Sequence, residues 1–538
     1  MSKFEDSRRG FLSSAAVGLA AARLGAPSGV GAHAPNLSAD ASGGAIGFDV
    51  RSFGAKGDGT ALDTSSVNAA IEAAAKNKGG SVRFPTGNYL CHSIHLKSNV
   101  ALYLDRGATI IAADAPAAGS SGPAYDPAEP NPWDAFQDYG HSHWHNSLIW
   151  GEGLQNISIL GPGLIWGRGL SRGWGAGPKA EDPGVGNKAI SLKNCRNVVL
   201  RDFSILHGGH FGVLATGVDN FTIDNLLIDT NRDGVDTDCC RNVRVSNVSV
   251  NSPWDDAICP KSSFALGYAR ATENVTITNC YVTGGYEEGT LLDGTWKRFD
   301  PDAKVPRTGR IKFGTESNGG FQNITISNCV FEACQGLALE TVDGALLEDV
   351  AITNLTMRDV TTAPIFFRLG RRMRGPAGVP VGQLRRVCIS DVVCSGAVSR
   401  FGSILSGIPD RAIEDVKLSN IYIQHRGGGT KEDATIVVPE LEEKYPEPNM
   451  FGTIPAHGFF IRHLKGLEMS HIEIEAMEPD ARPAFVLDHV ESADLLRIRA
   501  SHAAGVPIFS LKDVEEFNLY LSRPLADTHR DRGKDLKL

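Results

Sequence analysis

The stretch that decides the fold lies between residues 197 and 245, where one short phrase recurs: Asn197-Val-Val-Leu, Asn220-Phe-Thr-Ile and Asn242-Val-Arg-Val. The copies begin 23 and 22 residues apart. Each copy has period-2 alternation and β-branched residues, which is typical of a short β-strand. A repeat this short cannot bury its own apolar face, so we expect neighbouring copies to stack on one another.

The phrase extends along the chain in both directions. Further copies begin at Asn156, Asn274, Asn323, Asp349, Asp415 and Gly466, with a fainter one at Leu495. No helical 3.6-residue pattern separates them, which excludes strand–helix–strand units. The sequence therefore predicts an all-β fold, a single-stranded right-handed parallel β-helix, with equivalent residues about 4.8 Å apart in successive coils. We expect the Asn copies to stack and to hydrogen-bond the turns.

The two ends of the coil have different predicted structures. Asp63-Thr64-Ser65 is a cap-like entry to a helix whose apolar positions are Val67, Ala70, Ile71 and Ala74, and Gly79-Gly80 ends it. Such a helix would cover the open edge of the stack. We predict that the β-helix domain spans 48–522 and that 523–538 is a frayed polar tail.

The N-terminus reads as an export signal. Ser7-Arg8-Arg9-Gly10-Phe11-Leu12 precedes a mildly apolar, Ala-rich stretch, which is typical of the twin-arginine route. We expect residues 1–41 to be the signal and a linker, and the exported protein to be periplasmic or extracellular. No other stretch approaches the roughly 18 consecutive apolar residues of a membrane helix, so no membrane contact is predicted after signal removal.

Composition limits the class of partner. The 538 residues carry 53 basic and 62 acidic side chains, and no strong basic block is present, which argues against nucleic acid. The ten cysteines are scattered without zinc-type spacing, and we expect them to act as small buried hydrophobes. Oxidative pairing of Cys329 with Cys334, or of Cys239 with Cys240, stays open. We predict no cofactor and no metal, and the sequence leaves the oligomeric state open.

The sharpest chemical signal is a set of aspartates in two neighbouring coils. Asn231-Arg232-Asp233-Gly234-Val235-Asp236 is followed one coil later by Trp254-Asp255-Asp256. Carboxyls crowded on one face cannot all ionise freely, so at least one pKa should rise. A protonated carboxyl can then protonate a glycosidic oxygen while ionised partners activate water, as an inverting glycosidase requires. Ordinary turn aspartates and a calcium site are the alternatives.

The spacing of these aspartates resembles glycoside hydrolase family 28, the polygalacturonase and rhamnogalacturonase family, over roughly residues 48–480. Asn146-Ser-Leu-Ile-Trp and Gly161-Pro-Gly-Leu-Ile-Trp-Gly resemble the same family. The resemblance implies inverting hydrolysis of a pectic polysaccharide or its oligosaccharides. It also implies that Asp255 is the general acid and that Asp233 and Asp256 hold and deprotonate the water.

Two interpretations of the basic residues remain open. Arg310-Ile311-Lys312 resembles the family's tripeptide that binds a substrate carboxylate. Counting coils, however, puts the expected place at 336–340, which has no base and ends in Glu340. If coils are counted, Arg310 and Lys312 lie one coil before the place where the family has its basic tripeptide. If Glu340 faces the site, it would repel a galacturonate there.

Further residues are candidates for substrate contact. Lys261 follows the aspartates by five residues, and His210 lies one coil before Asp233. Tyr286 occupies the place where the family has a histidine, and Arg368 lies in a later strand. Solvated turns or ordinary packing are the alternative for each. His141-Ser-His143-Trp-His145 favours a sugar-contacting loop over a metal site.

Three long insertions, 113–146, 284–309 and 424–457, interrupt the rhythm. Long loops on a rigid scaffold commonly carry binding residues. Because they could wall off one end of the cleft, we expect exo rather than endo action. Two other functions fit the same architecture: a calcium-dependent polysaccharide lyase, and a non-catalytic β-helical carbohydrate-binding protein.

Overall fold

The computed structural model describes residues 47–117, 122–173, 181–398 and 400–538. The export signal predicted in residues 1–41 lies outside the described residues. Within them, strands of successive coils pair in parallel, with matched apolar positions in register, for example Val198 with Phe221 and Phe221 with Val243. The parallel β-helix predicted from the repeat is confirmed. No helix in the described ranges is long and apolar enough to cross a membrane.

Three stacks of strands run along the helix axis. The first stack, named here the ladder sheet, contains the repeated phrase: Gly47–Asp49, Gly80–Phe84, Val100–Leu104, Gln155–Leu160, Arg196–Arg201, Asp219–Asp224, Arg241–Ser246 and Thr272–Thr278. The second stack lies beside it: Asp58–Leu62, Gly87–Cys91, Ala108–Ala112, Leu164–Trp166, Ser204–Leu206, Leu227–Asp229, Ser249–Asn251 and Tyr281–Thr283. Long bent strands then continue both stacks: Phe321–Glu332, Leu346–Arg358, Gln383–Ala397, Ile413–Gly427, Phe459–Glu478, Phe485–Leu496 and Phe509–Tyr520, with Arg499–Ala500 beside them.

The third stack, named here the site sheet, carries the aspartates. Its first part is Ile94–His95, Ile149–Glu152, Lys188–Lys193, Phe211–Thr216, Asp233–Asp238 and Ile258–Lys261. A parallel bridge from Ile258 to Ile311 continues the column. Its second part is Lys312–Phe313, Leu337–Thr341, Ile365–Leu369 and Ser403–Ser406. In the described ranges, four short 3-10 helices interrupt the connecting segments: Val50–Phe53, Asp134–Phe136, Asp433–Thr435 and Pro448–Phe451.

The repeated asparagines form a continuous ladder. Asn197 Nδ2 donates to Asn156 Oδ1 at 2.8 Å, Asn220 donates to Asn197 at 2.9 Å, and Asn242 donates to Asn220 at 3.1 Å. The φ angles of Asn197, Asn220 and Asn242 are 55°, 54° and 56°. Asparagine tolerates this left-handed conformation better than most residues. The predicted stacking is confirmed, and the side chains bond mainly to one another.

Alternate residues of every coil point inward and form one apolar core. Val198, Phe221 and Val243 are examples from the ladder sheet. Nine of the ten cysteines are buried, Cys388 is exposed, and all ten are free thiols. The prediction that the cysteines pack as small hydrophobes is thus confirmed for nine of them.

The α-helix Thr64–Lys76, the only one among the described residues, caps the N-terminal end of the stack. It buries the four predicted positions, Val67, Ala70, Ile71 and Ala74. Asp63 precedes the helix, but its carboxylate accepts hydrogen bonds from the backbone N–H groups of Lys56 at 2.6 Å and Gly57 at 3.0 Å. The expected cap residue therefore ties the preceding turn to the helix start.

The C-terminal end differs from the prediction of a frayed tail over residues 523–538. Thr528–Gly533 and Leu536–Lys537 are strands that pair in antiparallel fashion with Phe509–Tyr520. Leu538 also exchanges backbone hydrogen bonds with Phe509. The last coil would otherwise present unpaired backbone groups, and these polar strands satisfy them.

Candidate active site

The backbone of the site sheet brings the aspartates together. Asp233 opens the strand Asp233–Asp238, and Val235 lies opposite Ile258 of the next strand. Gly234 allows the close approach of these coils, because a Cβ there would lie 2.4 Å from the carbonyl oxygen of Ala257. The turn before Ile258 carries Asp255 and Asp256, and carboxylate oxygens of Asp233, Asp255 and Asp256 lie within 4.8 Å of one another.

Asp255 is the most accessible of the three carboxylates. Its side chain is 24% exposed and forms an ion pair with Arg232, whose Nη2 and Nε donate to Oδ2 at 2.6 and 3.0 Å. Its Oδ1 accepts from the backbone N–H of Asp256 at 3.1 Å. Because both oxygens are engaged, the Arg232 contact has to open before Asp255 Oδ2 can carry a proton.

Asp256 lies behind it in a cationic environment. Arg310 Nε donates to Oδ1 at 2.9 Å, and Lys312 Nζ lies 3.3 Å from Oδ2. Burial opposes ionisation, but the charges of Lys312, Arg310 and Lys261 outweigh it and hold the pKa of Asp256 below its usual range. Asp256 is therefore ionised at neutral pH.

Asp233 has the opposite environment. It is buried, and Oδ1 has no hydrogen-bond partner. Burial, together with the negative charges of Asp236 and Asp255, raises the pKa of Asp233 well above its ordinary value. The rise expected somewhere in the cluster falls on Asp233, which therefore holds a proton more readily than Asp256 does.

A second layer of charges lies beneath the aspartates. Lys261 Nζ is 3.7 Å from Asp236 and 3.7 Å from Glu316, and His141 Nε2 is 3.4 Å from Asp236. Burial lowers the pKa of His141, but Glu316 and Asp236 more than compensate and raise it. This layer balances buried charges and supports the strand that carries Asp233.

The three histidines of the segment 141–145 do not converge. His141 points into the cluster, whereas His143 Nε2 lies 3.1 Å from Asp134 and His145 Nε2 lies 2.8 Å from Glu152. The described residues nevertheless contain two groups with metal-like geometry, His141 with Asp233 and Asp236, and the three aspartates themselves. Nearby lysine and arginine side chains already supply positive charge to both groups.

The insertions complete the site. Glu288, from the insertion 284–309, accepts hydrogen bonds from Asn231 Nδ2 at 2.6 Å and Trp254 Nε1 at 3.2 Å. It thereby ties together the two turns that precede Asp233 and Asp255. The side chains of Asp138, from the first insertion, and Arg374 form an ion pair at 2.5 Å.

The three aspartates and the charged and aromatic side chains around them enclose a cleft of about 330 Å³. The residues that line it are Ala135, Gln137, Asp138, Tyr139, His141, His210, Arg232, Asp233, Asp255, Asp256, Lys261, Lys312, Arg374 and Tyr445. The predicted candidates Lys261, Lys312 and His210 are among them. His210 stacks on Tyr139 with ring centres 5.3 Å apart, and burial with the nearby charge of Arg232 lowers its pKa well below the usual value.

Two predicted candidates lie elsewhere, so their assignment as cleft residues is wrong. Tyr286 is buried against Glu332, to which its hydroxyl donates at 3.2 Å. Arg368 is fully buried and donates to Ser406 Oγ at 2.8 Å and to the carbonyl oxygen of Glu440 at 2.9 Å. Arg368 anchors the third insertion to its strand rather than meeting the cleft.

The structure decides between the two interpretations of the basic residues. The bridge from Ile258 to Ile311 places Arg310 and Lys312 in the coil directly after Asp256, where both contact its carboxylate. Glu340 lies one coil further on, is fully buried, and approaches Lys312 at 3.8 Å. The coil count is therefore confirmed, because Arg310 and Lys312 lie one coil after Asp256 and Glu340 lies in the coil after that. Binding of a substrate carboxylate by Arg310 and Lys312 stays a prediction.

Sequence reasoning assigned no role to several residues of the site. Arg232 lies inside the motif Asn231–Asp236, but its contact with Asp255 becomes evident only in the structure. Tyr445, Glu447, Asp138 and Arg374 come from irregular segments, where no periodic pattern marks a position. Their charge and aromatic character alone gave no signal for this location.

Comparison with known proteins is consistent with this geometry. Residues 188–363 match a family model described as a right handed beta helix region. Residues 47–149 match one described as rhamnogalacturonase A/epimerase, pectate lyase-like. The handedness predicted from the sequence is thereby confirmed.

Individual proteins that are similar to this chain in sequence or in structure are named polygalacturonases. A probable polygalacturonase from Vitis vinifera is 23% identical over 435 residues, which covers 76% of this chain and 80% of the relative. An exopolygalacturonase from Thermotoga maritima superposes with a TM-score of 0.52 at 18% identity, over 70% of this chain and 87% of that one. A family 28 exopolygalacturonase from Yersinia enterocolitica gives 0.52 at 17% identity, over 89% and 79%. The chain is thus a right-handed parallel β-helix protein that is similar in sequence to polygalacturonases.

Proposed function

We propose that this protein is an inverting glycoside hydrolase that acts on a pectic polysaccharide or its oligosaccharides. The observation that carries the proposal is the meeting of Asp233, Asp255 and Asp256 within 4.8 Å at one cleft. Polygalacturonase-like relatives support the substrate class.

The charges around the three aspartates suit this chemistry. Asp255, the accessible carboxyl, would donate a proton to the leaving glycosidic oxygen as the bond from that oxygen to the anomeric carbon breaks. A water held between Asp233 and Asp256 would attack the anomeric carbon from the opposite face and give its proton to the ionised Asp256. A proton on Asp233, which its raised pKa favours, would let it donate a hydrogen bond to the same water. Release of product and return of the proton to Asp255 complete the cycle.

We also propose that the enzyme acts from a chain end. The ion pair of Asp138 with Arg374 and the ring of Tyr445 stand at the rim of the cleft, which supports a closed pocket rather than an open groove. Release of short products from the start of digestion is expected. Early accumulation of long internal fragments would contradict exo action.

The decisive experiment replaces the proposed acid. Asp255→Asn should reduce kcat on a pectic substrate by about 100-fold or more, because a carboxamide cannot donate the proton. Asp302→Asn, an exposed aspartate outside the cleft, is the matched control and should keep full activity. Circular dichroism should show both variants folded, and NMR of the first product should show inverted anomeric configuration.

Two outcomes would reject this proposal in favour of the alternatives. A calcium-dependent lyase would lose activity with a chelator and would release an unsaturated product that absorbs in the ultraviolet. A non-catalytic carbohydrate-binding protein would cleave none of the pectic fragments, and Asp255→Asn would then leave every measured property unchanged.

We further propose export through the twin-arginine route, on the strength of Arg8 and Arg9 and the apolar stretch that follows them. Replacing both arginines by lysine should retain the protein in the cytoplasm, as cell fractionation would show. Unchanged export would contradict this route.

A further inference from the structure

We propose that the sugar unit that binds against Asp256 is uncharged, either a neutral sugar or an esterified uronate. This inference rests on the proposed hydrolase function and specifies its substrate. The reason is that a carboxylate of the protein already contacts Arg310 and Lys312, the basic pair that would otherwise bind a uronate.

That carboxylate is Glu447, from the third insertion. Its Oε1 accepts a hydrogen bond from Arg310 Nη2 at 2.5 Å and lies 3.5 Å from Lys312 Nζ. The guanidinium of Arg310 also donates to Asp256, so its Nε and Nη2 donors are both directed at carboxylates of the protein itself. A planar guanidinium is well suited to a carboxylate, and here that interaction is already made.

The local charges around this pair cancel. Arg310 and Lys312 bring two positive charges, and Asp256 and Glu447 bring two negative charges at contact distance. Glu340 lies below Lys312 at 3.8 Å and is fully buried. No positive charge is left over at this position for the carboxylate of an incoming sugar.

The same balance extends along the rest of the cleft. Each lysine and arginine that lines it contacts a carboxylate of the protein: Arg232 with Asp255, Lys261 with Asp236, Lys312 with Asp256, and Arg374 with Asp138. A further negative charge beside Asp256 would therefore meet Asp256 and Glu447, with which Arg310 and Lys312 are already paired. Like charges brought together in a partly dehydrated cleft repel strongly. Hydroxyl groups and esters of an uncharged sugar meet no such penalty.

The test compares substrates that differ in charge. De-esterified homogalacturonan oligosaccharides, their fully methyl-esterified forms, and rhamnogalacturonan oligosaccharides with alternating neutral sugar are assayed separately for kcat/KM. The latter two substrates can each place an uncharged unit against Asp256, and we expect kcat/KM on the preferred one to exceed that on the de-esterified substrate by about tenfold or more. Preference for the esterified oligosaccharide would identify an esterified uronate, and preference for rhamnogalacturonan a neutral sugar.

A variant tests the role of Glu447 directly. Glu447→Gln should raise kcat/KM on de-esterified oligosaccharides by about tenfold, since it frees Arg310 and Lys312, and should change the uncharged substrates less. Glu443→Gln removes a carboxylate from the same segment and is the matched control, expected to change neither. A wild-type preference for de-esterified substrate, or a loss of that activity in Glu447→Gln, would overturn the inference.

Salt provides a measurement that does not depend on the variant's folding. If the cleft repels a uronate, added salt should increase wild-type kcat/KM on the de-esterified substrate by screening the repulsion. A decrease would indicate attraction and overturn the inference. If no substrate is cleaved in an Asp255-dependent way, the proposed hydrolase function fails instead. Calorimetric affinities of the Asp255→Asn protein for charged and uncharged oligosaccharides then still decide the charge preference.

Discussion

At the scale of single residues, neighbouring charges decide which carboxyl is ionised. Asp256 is held ionised by Lys312 and Arg310 despite burial, whereas burial and neighbouring carboxylates raise the pKa of Asp233. Glu340 follows the second pattern: burial raises its pKa to about 8, against the attraction of Lys312. Carboxyl groups within a few ångströms of one another thus differ in pKa, according to whether the attraction of nearby cations outweighs the effect of burial.

Glu340 gives a prediction about stability and pH. The unfolded carboxyl releases its proton near pH 4.5, whereas the folded one keeps it until about pH 8. Unfolding is therefore favoured increasingly as pH rises through this window, and Glu340→Gln should remove the effect. The free energy of unfolding of the variant relative to wild type should increase by up to about 1.4 kcal/mol per pH unit.

Denaturant unfolding at several pH values between 4.5 and 8 measures this difference. Glu443→Gln, on the exposed segment, serves as the control and should show no such trend. A difference between Glu340→Gln and wild type that stays flat across the window would show that Glu340 is ionised in the folded protein.

At the scale of the strand and turn, the ladder of asparagines fixes the spacing of the coils. Asn242 lies in the left-handed region with φ 56°, donates to Asn220 at 3.1 Å and accepts from Asn274 at 3.1 Å. Two properties of asparagine are used at once, its tolerance of this conformation and its paired donor and acceptor. The hydrogen-bonded asparagines thereby link successive coils of the ladder sheet, which neighbours the site sheet.

These two contributions can be separated by substitution at Asn242. Asn242→Ala loses both and should lower the free energy of unfolding by about 2 kcal/mol. Asn242→Gly restores the left-handed conformation without the side-chain bonds and should be intermediate. The midpoints of thermal unfolding would measure the order, with Asn449→Ala, at an exposed position of the 3-10 helix Pro448–Phe451, as the control. An Ala variant as stable as wild type would contradict the account.

At the scale of the whole molecule, the two ends of the coil are closed differently. The helix Thr64–Lys76 covers the start, and the strands Thr528–Gly533 and Leu536–Lys537 pair with the last coil. A stack of parallel strands without such closure would present open edges that favour pairing with a second molecule. Both ends are thus protected against edge-to-edge association.

Removal of residues 523–538 tests the C-terminal closure. The truncated protein should expose the edge of Phe509–Tyr520 and associate into larger species, while the cleft about Asp255 stays formed. Light scattering after size-exclusion chromatography measures the association. Arg530→Ala with Arg532→Ala keeps the strand but removes exposed charge, and is the control. If the truncated protein has the same size in solution as the protein that keeps residues 523–538, the two C-terminal strands are not needed to prevent association.

Much of the fold and part of the site could be predicted before the structure. The repeat placed Asp233 one coil from Asp255, and the helix was found from the apolar positions after Asp63. Counting coils placed Arg310 and Lys312 one coil after Asp256, and the bridge from Ile258 to Ile311 confirms that position. The prediction that Tyr286 and Arg368 contact substrate in the cleft was wrong. Tyr286 packs against Glu332, and Arg368 contacts the third insertion.

The sequence by itself determined the β-helix, its register and the meeting of the three aspartates. Each depends on contacts between adjacent coils, which a periodic pattern records directly. Only the tertiary structure decided which insertion residues meet the site. Glu447 contacts Arg310 across 137 residues, and no repeat links their positions. The path of an irregular loop depends on packing and charge contacts with distant parts of the chain, so its end point is set only when the whole molecule has folded.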